Sequence, residues 1–202
     1  MNSLTIGQLV EQGIIHLVRG EVMKSDSTLA DRAPVLRPSD VVHNRTPERL
    51  SDEYDEPIAT EFPTARIGDI AIALHFSPGS SCLITEDFDG SVPTKGIVLC
   101  SISFDNNVVD SEYLTTWLLS GVLKKEMQRF QSGGHMATVK MSDLEQVRVP
   151  IPDAATQKKL YKAVVDVRES SIIISQLAHE TNRLLALQYD LFNANISELN
   201  NA

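Results

Sequence analysis

VRVPIPDAATQKKLYKAV, residues 147–164, decides how the chain divides. A short β-branched run meets Pro150 and Pro152, which cannot donate to a sheet ladder, and Asp153 then offers a carboxylate placed to cap a helix. From 154 to 194 no glycine or proline interrupts the chain. Alternating steps of four and three from Leu160 meet Val164, Val167, Ser171, Ile174, Ala178, Thr181, Leu185, Gln188 and Phe192, most of them apolar. Leu177, Leu184 and Leu191 add a flanking row, so the stripe is wider than a two-position seam. At 1.5 Å per residue such a helix is on the order of 60 Å long, too long to bury its stripe on the domain before it. Its expected partner is another helix, from a second copy or a different chain. The predicted class is therefore α+β: a mainly β domain over residues 1–152, then one long coiled-coil-type helix over 153–202.

Composition narrows the function. The 202 residues, 42% of them hydrophobic, suffice for one medium domain with an appendage. Cys82 and Cys100, with no apolar signal segment, predict a reduced cytoplasmic protein with neither a disulfide framework nor a membrane span. The formal net charge of −9 opposes unaided nucleic-acid binding unless basic residues are segregated on one face.

Working back from residue 147, strands are expected over 13–23, 33–37, 66–76, 81–85 and 95–103, separated by turn-forming clusters such as SPGS and EDFDGS. The polar, proline-flanked stretch 41–62, rich in Asp and Glu, reads as an exposed insertion. From Asp110 or Ser111, either a suitable N-cap, the period becomes helical, predicting one helix over 111–131 that stops at Ser132-Gly133-Gly134.

Catalytic patterns are missing. His16, His43, His75, His135 and His179 have no spacing that sets two on one helix face, and the cysteines fall on separate strands. The loop Ser77-Pro78-Gly79-Ser80-Ser81 has one glycine and no following lysine, and no serine sits in a Gly-x-Ser-x-Gly elbow. Neither a metal nor a cofactor is expected. Against the acidic background, residues 120–141 stand out as basic: Lys124, Lys125, Arg129 and Lys140 with His135, opposed by Glu126 alone. On a continuous helix Lys124, Lys125, Gln128, Arg129 and Gln131 lie opposite Leu114 and Trp117. Such a face suits phosphates as well as it suits plain solvation.

The ordered set of local motifs resembles the specificity subunits of type I restriction-modification systems. Its parts are Thr5-Ile6-Gly7-Gln8-Leu9 with Ile14, Arg19 and Gly20, then Arg66-Ile67-Gly68-Asp69-Ile70, and the helix DSEYLTTWLL from Asp110. They continue with Ser132-Gly133-Gly134 followed by Lys140-Met141-Ser142-Asp143-Leu144, and with Val149-Pro150-Ile151-Pro152 ahead of Gln157-Lys158-Lys159-Leu160. Ala154-Ala155-Thr156, where the family has bulkier and acidic residues, and the acidic loop from 48 to 61 depart from the pattern.

The resemblance implies a subunit without catalysis that reads one half of a bipartite site in double-stranded DNA. It would dock DNA methyltransferase subunits and, in systems that have one, a restriction subunit. Family members commonly hold two recognition domains and two antiparallel helices; a chain with one of each would pair as a homodimer or with another half-subunit. Lys95, Lys124, Lys125, Gln128, Arg129, Gly133, Gly134, His135, Thr138 and Lys140 are the candidate DNA-binding residues. Leu160, Val164, Val167, Ile174, Leu177, Leu184, Leu185 and Leu191 are the candidate partner face. Two alternatives stay open: the recognition region of a fused methyltransferase or restriction enzyme, and a dimeric scaffold that binds no DNA.

Overall fold

The computed structural model describes residues 2–20, 32–33, 35–42, 56–57, 63–104, 107–131 and 137–200, with side chains on the final helix described for most positions up to Leu184. The expected insertion 41–62 lies mostly outside these residues. The chain forms two compact units, Met1–Lys158 and Lys159–Ala202.

The first unit opens with β1 (Asn2–Thr5) and α1 (Ile6–Glu11). Thr5 starts α1 through a reciprocal cap: its hydroxyl accepts from the Gln8 backbone N–H at 3.1 Å, and Gln8 Oε1 accepts from the Thr5 N–H at 2.8 Å. The centre of the unit is a four-stranded antiparallel sheet of β2 (Ile15–Arg19), β9 (Ile97–Ile102), β6 (Ile70–Ala73) and β7 (Ser81–Leu83), in that spatial order. Among the described residues there are also three two-stranded pairs. β1 runs antiparallel to β10 (Arg148–Ile151), β3 (Arg32–Ala33) antiparallel to β5 (Glu56–Pro57), and β4 (Val35–Leu36) parallel to β8 (Val92–Pro93).

Period-two alternation gives the central sheet two apolar faces. Ile70, Ile72, Val98 and Cys100 point into one cluster with α1, α3 (Ser111–Leu118), α4 (Gly121–Met127) and α5 (Met141–Gln146). Ala71, Ala73, Ile97 and Leu99 point into a second cluster with Leu36, Phe88 and Val41 of α2 (Pro38–Val41). A sheet covered on both faces explains why its strands are nearly continuous runs of apolar residues.

The helix expected over 111–131 is broken. Asp110 caps α3, its carboxylate accepting from the Tyr113 N–H at 2.9 Å, but α3 stops after Leu118. Ser120 restarts the chain: its backbone is extended, its hydroxyl donates to the Trp117 carbonyl at 2.6 Å and accepts from the Val122 N–H at 3.3 Å. A serine that satisfies the end of one helix and the start of the next divides what periodicity alone joins. After α4, a short 3-10 turn covers Gln128–Phe130. The strand expected over 66–76 is also shorter, because Gly68 takes a left-handed φ of 93° and Asp69 accepts from the Arg66 N–H at 2.9 Å, making a turn before Ile70.

The junction at residues 147–164 is built as a strand stop and a helix start. Beyond Pro152, α6 (Ala154–Asn200) runs for 47 residues, about 70 Å. Asp153 caps it, with one carboxylate oxygen accepting from the Thr156 N–H at 3.0 Å and the other from its hydroxyl at 2.9 Å. These bonds hold the Asp153 carboxyl below its ordinary range. Gln157, 3% exposed, ties the root of α6 to the domain: its Oε1 accepts from the Asp110 N–H at 2.7 Å and its amide donates to the Pro152 carbonyl at 2.8 Å. The Tyr113 hydroxyl adds a bond to the Pro150 carbonyl at 2.8 Å. Along the second unit Val164, Val167, Ile174, Leu177 and Leu184 are exposed, as is Leu160 near its start. Among the described residues no helix is long and apolar enough to cross a membrane.

Candidate nucleic-acid interface

The loop 74–80 is the structural centre of the candidate site. It leaves β6 and is pinned on three sides: the Leu74 N–H donates to the Gly96 carbonyl at 2.8 Å, the Val139 N–H to the Leu74 carbonyl at 2.9 Å, and the Gly79 N–H to the Ala73 carbonyl at 2.8 Å. Two glycines permit the close approaches. Gly79 has φ 83°, and a Cβ there would stand 2.6 Å from the Lys124 Cα, so the loop lies directly on α4. A Cβ on Gly96 would stand 2.7 Å from the Pro38 ring and 3.0 Å from His75 Nδ1. The neighbouring atoms leave no room at either point for a larger residue.

This packing brings together residues that are far apart in sequence. Lys124 reaches the loop through Gly79, and Thr138 reaches it through an isolated antiparallel bridge to His75. Lys95 sits in the turn beside Gly96, and its carbonyl accepts from Arg19 Nε at 3.5 Å. Arg19 adds a second cation to Lys95 beside His75, and neither Arg19 nor His75 is among the candidate DNA-binding residues. Partial burial, then the charges of Arg19 and Lys95, lower the His75 pKa from 6.5, so the ring is neutral at pH 7. Its proximity to two cations is itself the sign of a segregated positive region.

The remaining candidates are distributed differently. Lys125, Gln128 and Arg129 are exposed on α4 and the turn after it. Arg129 is paired with Glu126 at 2.8 Å, which offsets part of its charge. Lys140 is exposed at the start of α5, where Asp143 accepts from its backbone N–H at 3.1 Å. Gly133, Gly134 and His135 lie outside the described residues. Leu185 and Leu191 are on α6, and their side chains lie outside what is described.

Little in the described residues is suited to chemistry. No group of three or more His, Cys, Asp or Glu residues gathers to hold a metal among them. Cys82 and Cys100 are free and buried, and burial, reinforced by Asp40 and Asp69 respectively, pushes each thiol up to about 12. At neutral pH neither is a thiolate nucleophile.

Comparison with known proteins agrees with this architecture. The chain is similar to a solved protein from work on complex assembly and conformational transition of the type I R-M system, at 14% identity and a TM-score of 0.61, covering 89% of this chain and 41% of that one. A type I restriction-modification S subunit from M. genitalium matches at 14% identity and a TM-score of 0.53, over 83% of this chain and 39% of that one. The HsdS subunit from Thermoanaerobacter tengcongensis matches at 13% identity and a TM-score of 0.58, over 84% and 37%. At these identities the likeness is one of fold, and the chain spans about two-fifths of the length of each solved protein. No curated protein matches. The family model for the type I restriction modification DNA specificity domain matches residues 15–183, from the first strand of the central sheet well into α6. Over most of its length, then, the chain belongs to the family of type I restriction-modification DNA specificity domains.

Proposed function

We propose that this protein reads one half-site of a bipartite sequence in double-stranded DNA and holds methyltransferase subunits in register with it, without catalysis of its own. Residues 1–152 are the recognition domain and 153–202 the spacer and docking helix. The observation that carries the reading, beside family membership, is the gathering of Lys95, Lys124 and Thr138 with Arg19 and His75 around one pinned loop. In a chain of net charge −9 the charges of Arg19 and Lys95 beside this loop favour phosphate where the overall sign opposes it. Lys124, Lys125 and Arg129 position the domain on phosphates, while Gln128, Thr138 and Lys140 read bases, with Gly133, Gly134 and His135 kept as candidates from the sequence alone.

The second part of the proposal concerns α6. Its exposed Leu160, Val164, Val167, Ile174, Leu177 and Leu184 form a surface that pairs with another long helix, from a second copy or another half-subunit, and sequence spacing alone adds Leu185 and Leu191 as candidates. Methyltransferase subunits, and a restriction subunit in systems that have one, dock on the helix pair and contribute further phosphate neutralisation. The deciding experiment is methylome sequencing of a host with and without the gene. A bipartite methylation motif that disappears with the gene is the expected result. An unchanged methylome, with the methyltransferase partner expressed, refutes the proposal.

A further inference from the structure

Phe76 adopts a backbone conformation that large side chains rarely take. Its φ of 64° makes it the only non-glycine residue with positive φ among the described residues. The Ser77 N–H donates to the His75 carbonyl at 2.8 Å, so Phe76 is the centre of a three-residue γ-turn of the strained hand. Phe76 is 62% exposed, so full burial of a large apolar side chain does not offset the turn. Glycine at this position would relieve the backbone and expose less apolar surface. The loop around it is over-determined by the bonds to Ala73, Gly96 and Val139, which is how a strained residue persists.

The surroundings suit one class of ligand. Phe76 lines a cleft of about 460 Å³ with Arg37, Pro38, Ser39, Val42 and Thr94, a mostly apolar wall. The residue before it in sequence is His75, which senses the charges of Arg19 and Lys95. An apolar tip bordered by cations matches the groove of a duplex, where bases offer apolar edges and the flanking phosphates are negative. Asp40, next in sequence to the lining residue Ser39, is engaged by the Arg37 N–H at 2.8 Å and the Ser39 hydroxyl at 3.3 Å.

We propose that Phe76 is a specificity-determining residue: its ring, held outward by the γ-turn, packs against a base in the groove while Arg19 and Lys95 meet the adjacent phosphates. The proposal rests on the DNA-reading function proposed above and names a residue through which a base is sensed. It is tested in the full chain assembled with its methyltransferase subunits, by measuring Kd for a duplex carrying the methylated motif and for a scrambled duplex across a salt series. Phe76→Gly and Phe76→Asn both suit a left-handed backbone. Each should keep or raise the thermal midpoint, weaken the motif duplex on the order of tenfold or more, and leave the scrambled duplex and the salt slope unchanged. Motif affinity equal to that of the unsubstituted complex overturns the proposal and leaves the DNA-reading function standing. So does parallel loss on both duplexes, or a lowered midpoint, because the ring then serves folding or general attachment. An unsubstituted complex that does not distinguish the two duplexes overturns both.

Discussion

Replacing Gln157 with leucine should destabilise the first unit by about 3 kcal/mol. Leucine fills nearly the same space, so the transfer of apolar surface changes little. Two backbone groups are the issue: the Asp110 N–H, which donates to Gln157 Oε1 at 2.7 Å, and the Pro152 carbonyl, which accepts from Gln157 Nε2 at 2.8 Å. Gln157 is 3% exposed, so water does not readily replace it, and each abandoned partner costs about 1–3 kcal/mol. For a unit of this size each kcal/mol lowers Tm by about 2–4 °C, so the expected drop is about 6–12 °C. Urea unfolding followed by far-UV circular dichroism measures it, with an unchanged m-value establishing that the native and unfolded states remain comparable. Gln157→Glu keeps an acceptor for Asp110 but sets a buried, unpaired carboxylate against the Pro152 carbonyl, and at neutral pH should be at least as destabilising as leucine. A leucine variant within about 0.5 kcal/mol of the unsubstituted protein would refute the role assigned to this amide.

Changing Lys124, Lys125 and Arg129 to alanine should weaken DNA binding broadly and reduce the salt slope by about one for each phosphate no longer neutralised, read from Kd across a salt series; an unchanged slope removes these residues from the interface. His75 should titrate below 6.5, and Lys95→Ala should move it upward, as followed by the ring protons in NMR. Because the unfolded chain takes up this proton first, the stability tied to neutral His75 is full above about 6.5 and is lost as pH falls through that value, giving a positive slope of unfolding free energy with pH there. Val167→Asp with Leu177→Asp should abolish association through α6, measured by sedimentation, while Tm of the first unit stays within about 1–2 °C; undiminished association would rule out this face.

Local signals account for most of what was legible in the sequence. Asp110 and Asp153 precede helical patterns and do cap helices, because a cap depends on residues three positions away. Thr5-x-x-Gln8 ahead of Leu9 is an equally local signature, but the six residues of α1 are too few to show a helical period. Ser120 is different: a serine on a helical pattern is compatible with a solvated face, and only the hydrogen bond to Trp117 reveals the break. The expected face of Lys124 and Lys125 opposite Trp117 assumed a continuous helix, and α4 has its own register. Arg19 and Lys95 are 76 positions apart, and Asp110 and Gln157 are 47 apart. Such pairs have no periodicity to read; tertiary packing alone makes them neighbours.

The pairing of β1 with β10 has an evolutionary consequence. Asn2 stands opposite Ile151 and Thr5 opposite Arg148, so the strands that bound the first unit in sequence lie side by side. A unit closed in this manner is a cassette: it can be excised at one seam and inserted elsewhere, or its order rearranged around the joined ends, without parting the central sheet. If the proposed DNA-reading function holds, new targets can be acquired by exchanging whole cassettes at this seam, which is four residue pairs wide.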